Sequence, residues 1–212
     1  MNTYFITGIS TEVGKTVASA IITEALNADY WKPVQAGELD YCDTKKVKQL
    51  ISNNKSQFHD NAFALNTPMS PHAAADIDKV TIEANTIKPP KTKNTLVIEG
   101  AGGLLVPLNA TETILDLIQP NYKVIVVSRH YLGSINHTLL TVSLLQSKGF
   151  DVAIVFSGNE HKTTEAIIQS KTHAPVIGRI EEEPYFDKNV VKDYAEQFLS
   201  RQDSQDFFSL KG

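Results

Sequence analysis

The 212 residues fit one globular domain, and we expect residues 1–212 to form a single domain. Apolar residues make up 42% of the chain and charged residues 21%, and 20 basic against 24 acidic side chains give a net charge of −4. Such a mildly acidic chain lacks the basic face that general nucleic-acid binding requires, so we expect no nucleic-acid partner.

The sequence also lacks the patterns of membrane insertion and secretion. No window has 18 consecutive apolar residues, and the first residues enter a strand pattern without a basic segment before a long apolar stretch. A single cysteine, Cys42, allows no internal disulfide, which suits a reducing compartment. We therefore expect a cytoplasmic protein with no membrane partner.

Short apolar runs alternate along the chain with longer amphipathic stretches. In chain order, these patterns predict a strand at 4–7, a helix at 15–28, a strand at 30–34, a helix at 43–52, a strand at 95–99, a helix at 112–119, a strand at 123–128, a helix at 134–148, a strand at 152–156, a helix at 163–170, an edge strand at 175–180 and a helix at 189–200. The alternation and the unbroken Val and Ile runs predict an α/β fold, with a mainly parallel β-sheet and helices on both faces.

The segment 57–93 departs from this alternation. It is rich in Pro, Asn and Lys, and a helical pattern is present only near 73–75 and after Asp78. We interpret it as a structured excursion over the face where ligands bind. In parallel sheets that face is formed by the C-terminal ends of the strands, and motifs at 8–16, 99–103 and 128–136 directly follow predicted strands.

Residues 8–16, Gly-Ile-Ser-Thr-Glu-Val-Gly-Lys-Thr, follow the first strand and open a helix. The usual phosphate loop has four residues before Gly-Lys-Ser/Thr, whereas five separate Gly8 from Gly14 here. The glycines would let backbone N–H groups approach phosphates, Lys15 would reach the β- and γ-phosphates, and Thr16 would bind Mg²⁺. The alternative is a turn that caps a helix without a ligand. The strand–loop–helix context favours the phosphate site and a P-loop NTPase-like fold.

Phosphoryl transfer also needs carboxylates that hold Mg²⁺ opposite the phosphates. Glu99 ends an apolar strand before Gly-Ala-Gly-Gly, which favours a functional role over that of a solvent-exposed strand end. Asp43 begins a predicted helix, where the role of an N-cap is an equal alternative. Asp40 and Glu38 are nearby competitors for the metal.

The remaining reactive residues give weaker signals. Lys32, by itself, fits the pattern of a surface lysine between a strand and Pro33. The histidines have no metal-ligand spacing, so we predict no zinc site. No nucleophilic triad can be argued, and Cys42 is interpreted as incidental.

Together these segments resemble the dethiobiotin synthetase family. The matching segments are Thr-Gly-Ile-Ser-Thr-Glu-Val-Gly-Lys-Thr at 7–16, Trp-Lys-Pro-Val-Gln-Ala-Gly at 31–37, Asp43, Pro-Met-Ser-Pro-His at 68–72, Val-Ile-Glu-Gly-Ala-Gly-Gly-Leu at 97–104 and Leu-Gly-Ser-Ile-Asn-His at 132–137. Their order and spacing extend through most of the chain, and the C-terminal part matches weakly. The five-residue gap in the phosphate loop is usual in this family.

The resemblance implies an ATP-dependent cyclo-ligase of biotin biosynthesis that acts on 7,8-diaminononanoate and CO₂ with Mg²⁺. The diamine is carbamylated by CO₂, and the carbamate oxygen attacks the γ-phosphate to give a carbamic-phosphoric anhydride. The second amine then closes the ureido ring of dethiobiotin and expels phosphate. Such a reaction needs no protein nucleophile, only positioning and charge neutralisation.

The resemblance also implies roles for the residues around the phosphates. Lys15 and Lys32 would stabilise carbamate and phosphoryl charge, together with Thr11 of the loop. Thr16, Asp43 and Glu99 would organise Mg²⁺. Glu12 would contact the ribose or tune the site, and the nucleotide would be held by Gly8, Glu12, Val13, Gly14, Lys15, Thr16 and Val17.

For the substrate, the resemblance implies contacts with Lys32, Ala36, Gly133, Ser134 and Asn136. Backbone amides around Gly133–Asn136 would bind the substrate carboxylate, and in the family they come from the neighbouring subunit. The resemblance therefore implies a homodimer with sites at the subunit interface.

Three positions depart from the family pattern. Ala36 stands where Ser or Thr is usual, so a hydroxyl contact with the substrate is lost or replaced. The Asn that reads the purine base is displaced, and Asn159 would serve with a shift. The sequence Arg-Ile-Glu at 179–181 replaces the common Ile-Pro stretch, which leaves the preference for a nucleotide base open.

Three other functions are alternatives for a chain with this phosphate loop. A partition- or positioning-type P-loop ATPase typically has an extra lysine early in its loop, where this chain has Ile9 and Ser10, and no basic amphipathic tail is present. A cobyrinate-type synthetase would need a glutamine-hydrolysing domain, for which the chain is too short. A protein that binds nucleotide without turnover is the third alternative.

Overall fold

The computed structural model describes residues 2–209, which form an α/β structure around one large parallel sheet. The strands are β1 (Thr3–Gly8), β2 (Asp29–Trp31), β3 (Val34–Ala36), β4 (Phe58–His59), β5 (Phe63–Leu65), β6 (Leu96–Gly103), β7 (Lys123–Arg129), β8 (Asp151–Ser157) and β9 (Val176–Ile180). The α-helices are α1 (Lys15–Leu26), α2 (Asp43–Leu50), α3 (Pro71–Asp78), α4 (Ser134–Ser147), α5 (Lys162–Thr172), α6 (Lys188–Ser200) and α7 (Gln202–Phe208).

The large sheet has seven strands in the order β4-β2-β6-β1-β7-β8-β9, and every pairing is parallel. Strands β3 and β5 form a separate parallel pair. The Val and Ile run of β7 is fully buried from Val124 to Val127, because helices cover the sheet on both sides. The predicted mainly parallel sheet, with its last strand at an edge, is confirmed.

Two groups of helices pack on this sheet, α1 with α2 and α6, and α4 with α5. From β1 the chain passes through α1 towards β2, and from β7 it passes through α4 in the opposite direction to β8. Right-handed crossovers therefore place α1 and α4 on opposite faces. The direction reverses around β1, so the loop at 8–16 leaves the sheet at the switch point where α/β folds bind ligands.

The prediction of one continuous strand at 30–34 is wrong, because the structure has two strands there, β2 and β3. Pro33 lies between them and has no N–H for a sheet ladder. Its carbonyl accepts hydrogen bonds from the N–H groups of Ala62 and Phe63, at N···O distances of 2.9 and 3.0 Å. Lys32 consequently lies at the C-terminal edge of the large sheet rather than within a continuous strand.

The helix predicted at 112–119 is also wrong, since only a short 3₁₀ segment, Ile114–Leu117, forms there. Thr113 is its N-cap and makes a reciprocal capping box with Asp116. Pro120 disfavours helical backbone at the residue before it. Too few residues remain between these two signals for an α-helix.

The segment 57–93 is structured, as predicted, and contains β4, β5 and α3. Helix α3 covers the helical pattern at 73–75, whereas the helix expected after Asp78 is wrong. Lys79 adopts a φ of 57° and ends α3 in the left-handed conformation. The other predicted strands and helices are confirmed, with ends that shift by a few residues.

Helix α7 escaped prediction because its local pattern is short and mostly polar. It follows Arg201, which is extended, and its Phe207 and Phe208 are buried. Their rings pack against Tyr4 of β1, with centroids 6.0 and 5.2 Å apart. This long-range aromatic packing stabilises a helix that its own sequence does not specify.

Among residues 2–209, none of the helices combines the length and apolar character that crossing a bilayer would require.

Gly178 of β9 lies directly against the ring of Phe198 on α6, and no side chain fits between them. A Cβ at position 178 would lie 2.1 Å from Cζ of Phe198, whose side chain is 1% exposed. We expect Gly178→Ala to lower the free energy of unfolding by about 1–3 kcal/mol, measured by urea denaturation, because the close-packed interior cannot absorb the added atom. The double variant Gly178→Ala/Phe198→Leu should recover part of the loss. A loss below about 0.5 kcal/mol would contradict the prediction.

Candidate active site

A cleft of about 1040 Å³ opens at the C-terminal ends of the central strands. Its walls come from the loop that follows β1, the β2–β3 connection, the excursion at 68–71, the Gly-rich end of β6 and the segment at 180–186. The cleft is thus formed by segments far apart in sequence that meet at one edge of the sheet.

The loop at 8–16, hereafter the phosphate loop, is tightly wound around its two glycines. A Cβ on Gly8 would lie 2.5 Å from Cγ2 of Val13, and one on Gly14 would lie 2.9 Å from Oγ of Ser157. Gly14 also has a φ of 91°, which favours glycine. Within residues 2–209 no side chain caps α1, which begins at Lys15, so the amides of its first turn can bind an anion.

Lys15 lies in this loop with 8% of its surface exposed, and its Nζ donates a hydrogen bond to the Ser10 carbonyl at 3.0 Å. Burial and the nearby Lys32 lower the pKa of Lys15 to about 8, against the opposing effect of Glu99 and Asp43. A lysine in this position has the charge and the hydrogen-bond donors to bind phosphate oxygens.

Lys32 lies between Asp43 and Glu99, the two carboxylates that the family resemblance assigns to Mg²⁺. Its Nζ is 2.8 Å from Oδ2 of Asp43 and 3.0 Å from Oε1 of Glu99, and it donates to the Gly100 carbonyl at 3.0 Å. The Thr16 hydroxyl donates to the same Glu99 oxygen at 3.1 Å. We call Lys32, Asp43, Glu99 and Thr16 the ionic cluster.

Burial and charge act in opposite directions on the titrating groups of the cluster. Burial disfavours the charge of Lys32, but Glu99 and Asp43 outweigh it and hold its pKa above the ordinary value. Burial likewise opposes ionisation of Asp43, and Lys32 outweighs it and lowers the pKa of that carboxyl. Both residues are therefore charged at neutral pH.

Sheet register brings the cluster together. Residues Asp29 to Trp31 of β2 pair with Leu96 to Ile98 of β6, so the next positions along these strands, Lys32 and Glu99, are neighbours. Asp43 comes from the first turn of α2, where its N–H donates to Oε1 of Gln35 at 3.3 Å.

The structure contradicts the alternative roles of Lys32 as a surface lysine, Glu99 as a solvent-exposed strand end and Asp43 as an N-cap. Lys32 is 4% exposed and Glu99 is 1% exposed, so neither is a solvated surface group. The N-cap of α2 is Cys42, and Asp43 follows it as the first helical residue. Of the two competitors, Glu38 lines the cleft but pairs with Lys46 at 2.6 Å.

The donor set of the cluster fits Mg²⁺. Thr16, Asp43 and Glu99 offer only oxygen ligands, which this cation prefers. Within residues 2–209 no group of three or more His, Cys, Asp or Glu side chains could hold a metal by itself. Mg²⁺ usually takes one or two protein carboxylates and completes its coordination with phosphate oxygens and water, as these residues would require.

The structure brings some of the other predicted residues to the cleft and leaves others outside it. The cleft is lined by Thr11, Glu12, Gly14, Lys15, Thr16, Val17 and Ala36, whereas Gly8 and the buried Val13 are not part of its lining. Gly133, Ser134 and Asn136, at the start of α4, do not belong to its lining, nor does the exposed Asn159 after β8.

A family model described as an AAA domain matches residues 2–190. The ATP-dependent dethiobiotin synthetase BioD of Christiangramia forsetii is 64% identical over 199 residues, which cover 93% of this chain and 96% of that protein. The chain belongs to the dethiobiotin synthetase family. A second family member, from Cytophaga hutchinsonii, is 48% identical over 198 residues that cover 92% of this chain and 96% of its own.

Solved structures similar to this dethiobiotin synthetase family member show its fold. A plasmid partition protein of Borrelia burgdorferi bound to AMPPNP has a TM-score of 0.56 at 12% identity and covers 100% of this chain and 99% of its own. A ParA family ATPase of Chlorobium tepidum has a TM-score of 0.52 at 11% identity, over 99% and 98% of the two chains. The P-loop NTPase-like fold is confirmed, and the similarity to partition proteins extends to the fold alone.

Several cleft residues of this family member were missed by sequence reasoning. Gln35, buried next to Asp43, lies inside the motif at 31–37, and its polar side chain in a strand was an available signal. Ser157 and Phe186 also line the cleft, and nothing in their local sequence marks them. Tyr30 donates a hydrogen bond to Glu99 from below the cleft and looked like an ordinary strand residue.

The ionic cluster predicts a pH-dependent loss of stability when its cation is removed. We expect Lys32→Met to lower the free energy of unfolding at pH 7 by about 3–5 kcal/mol, because it leaves two carboxylates without their buried partner. Lys32 lowers the pKa of folded Asp43, so this stabilisation is present above the unfolded pKa of about 4 and is lost as the pH falls through the folded pKa. The difference between wild type and variant should therefore shrink in acid.

Urea denaturation between pH 3 and pH 7 measures this difference, with Lys55→Met as a matched control. Lys55 is exposed and does not line the cleft, so its variant should match wild type at each pH. A Lys32→Met loss that is the same at every pH would contradict the ionic explanation.

Proposed function

We propose that this chain forms dethiobiotin from 7,8-diaminononanoate and CO₂ through a carbamate and a carbamic-phosphoric anhydride, with ATP as co-substrate. Membership of the dethiobiotin synthetase family gives the overall activity, that of an ATP-dependent ligase in biotin biosynthesis. The observation that supports the stepwise route is the convergence of Lys15, Lys32, Asp43 and Glu99 on one cleft beside the phosphate loop.

The proposed route needs neutralisation of negative charge rather than a protein nucleophile. The carbamate oxygen attacks the γ-phosphorus, the bond to the β–γ bridging oxygen breaks, and ADP leaves. The second amine then attacks the carbamate carbon, closes the ring and expels inorganic phosphate. Two anions must approach each other in the first step, so cations at the meeting point lower its barrier.

Lys15 and Lys32 are the side chains that we assign to this meeting point. Lys15 follows Gly14 in the phosphate loop and would contact the β- and γ-phosphates. Lys32 is held 2.8 Å from Asp43 and would contact the carbamate and the γ-phosphate. Mg²⁺, when bound by Thr16, Asp43 and Glu99, would neutralise charge on the β- and γ-phosphates. Thr11, exposed at the rim of the cleft, would assist from the loop.

We assign the remaining nucleotide contacts to the phosphate loop and α1. Glu12, Gly14, Thr16 and Val17 line the cleft and would contact the nucleotide, while Gly8 and Val13 would support the shape of the loop around the phosphates. Glu12, with a φ of 56°, is held by Arg129, whose NH1 donates to the Glu12 carbonyl at 3.2 Å. Asn159 lies outside the cleft lining, so its role in reading the base requires movement of the β8–α5 connection.

A homodimer would complete the substrate site. The phosphate loop and α4 border a second, apolar groove of about 450 Å³, which shares Thr11 and Val106 with the cleft. Leu105 and Leu140 line the groove and are 61% and 62% exposed. A second copy seated on this groove would bring its own Gly133–Asn136 turn, and the amides proposed for the substrate carboxylate, to the neighbouring cleft.

We also propose that the protein acts in the cytoplasm.

Product formation tests the proposed function directly. Incubation of the protein with 7,8-diaminononanoate, ATP, Mg²⁺ and bicarbonate should yield dethiobiotin, detected by mass spectrometry. Lys15→Ala should abolish product because it removes the phosphate-loop cation, while Lys55→Ala, an exposed lysine, should not. Folded wild-type protein that forms no product would overturn the proposal, and normal rates in Lys15→Ala would overturn the phosphate assignment.

Mixed dimers test whether each site uses two subunits. Lys15→Ala and Gly133→Val should each be inactive, since Gly133 has a φ of 103° that a β-branched residue cannot adopt without strain. After subunit exchange between equal amounts of the two variants, about half of the dimers are mixed, and each mixed dimer has one site with both defects and one intact site. About a quarter of all sites are then intact, so activity should return to about one quarter of wild type.

The matched control pairs Lys15→Ala with Lys32→Ala, two changes that belong to the same half of the proposed site. No mixed dimer of this pair has an intact site, so activity should stay absent. Recovery in both mixtures, or in neither while sedimentation shows mixed dimers, would contradict a shared site.

A further inference from the structure

A buried tyrosine on the strand beneath the cleft makes direct contact with the ionic cluster. The Tyr30 hydroxyl donates a hydrogen bond of 2.9 Å to Oε2 of Glu99, and both side chains are buried. The cluster uses the other oxygen, Oε1, which accepts from Thr16 and Lys32. The two oxygens of one carboxylate thus have separate partners.

Sheet geometry fixes this contact. Tyr30 pairs with Val97 across β2 and β6, and Glu99 lies two residues beyond Val97 on the same face of the sheet. The Tyr30 ring packs against Phe58 of β4, with centroids 6.0 Å apart, and the residue has no exposed surface. The hydroxyl therefore has a fixed position relative to the carboxylate.

Packing alone does not account for a tyrosine at this position. A phenylalanine would fill the same space without burying a hydroxyl group, which needs a hydrogen-bond partner. The hydroxyl of Tyr30 has Glu99 as its partner, and a hydrogen bond to a buried carboxylate is stronger than one between neutral groups. This hydrogen bond therefore fixes the rotation of the Glu99 carboxylate about its Cγ–Cδ bond.

We propose that Tyr30 is a positioning residue for the metal-binding carboxylate. By holding Oε2, it directs Oε1 of Glu99 towards Thr16 and the space that Lys32 shares with Asp43, so that one oxygen is presented to Mg²⁺. Partners of this kind, one step removed from the metal, orient ligands and affect metal affinity by about 10–100-fold. The inference rests on the proposed function for the assignment of Glu99 to Mg²⁺.

The test compares two variants that each remove one buried tyrosine hydroxyl. Tyr30→Phe removes the donor to Glu99. Tyr4→Phe is the matched control, because Tyr4 lies on β1 of the same sheet, is 1% exposed and donates to the Phe208 carbonyl at 3.2 Å, away from the cluster. Mn²⁺ replaces Mg²⁺ as the probe, and its binding to each protein with AMPPNP is followed by electron paramagnetic resonance of the free ion.

We expect Tyr30→Phe to weaken Mn²⁺ binding by about 10–100-fold and Tyr4→Phe to leave it unchanged. The magnesium concentration at half-maximal activity should rise in parallel. The effect should vanish in a Glu99→Gln background, since Tyr30 would act only through that carboxylate. Unchanged Mn²⁺ affinity in folded Tyr30→Phe, or an equal loss in Tyr4→Phe, would overturn the inference.

A second variant keeps the test valid if Tyr30→Phe does not fold. Tyr30→4-aminophenylalanine keeps the ring and a hydrogen-bond donor, and it should restore Mn²⁺ affinity to within a few-fold of wild type if the donor is what matters. Folded protein with this residue and a 10-fold or greater loss would overturn the inference. Failure of wild type to form dethiobiotin, with Tyr30-dependent metal binding intact, would overturn the proposed function alone.

Discussion

The buried contact of Lys32 with Asp43 and Glu99 is the constraint on which the cleft depends. Its three members come from the end of β2, the start of α2 and the interior of β6, and each is stable as a buried charge only in the presence of the others. The arrangement therefore ties three elements together at the edge of the sheet where ligands bind. It also holds one cation and two carboxylates, the kinds of group that phosphoryl chemistry uses, in fixed positions relative to one another.

The phosphate loop lies beside this cluster because of the strand order. Strand β1 lies between β6 and β7 in the centre of the sheet, so the loop that follows it opens next to the end of β6. Glycine at positions 8 and 14 allows the close contacts with Val13 and Ser157 that fold the loop against its neighbours. Thr16, the first residue after Lys15 in α1, thereby comes within 3.1 Å of Glu99.

Residues of the cleft are predictable from the sequence where a local pattern coincides with a strand end. The strand–glycine–lysine pattern at 8–16 and the carboxylate at the end of an apolar run, Glu99, both lie in the cleft, since a parallel sheet brings its strand ends to one edge. The strand predicted at 30–34 and the helix predicted at 112–119 are wrong, because prolines and a capping box end regular structure there. Helix α7 was not predicted, because buried phenylalanines that contact Tyr4 stabilise it over a long sequence distance.

The fold class, the phosphate loop and the family follow from the amino-acid sequence, because each is encoded in periodicity or in contiguous motifs. Three-dimensional packing was needed to show that Lys32 is a buried ion-pair partner, that Asp43 is not an N-cap, and that Tyr30 contacts Glu99. It also placed Asn159 and the Gly133–Asn136 turn outside the cleft lining. The physical reason is that burial, charge pairing and register arise between strands and helices distant in the chain, where local sequence carries no record of the partner.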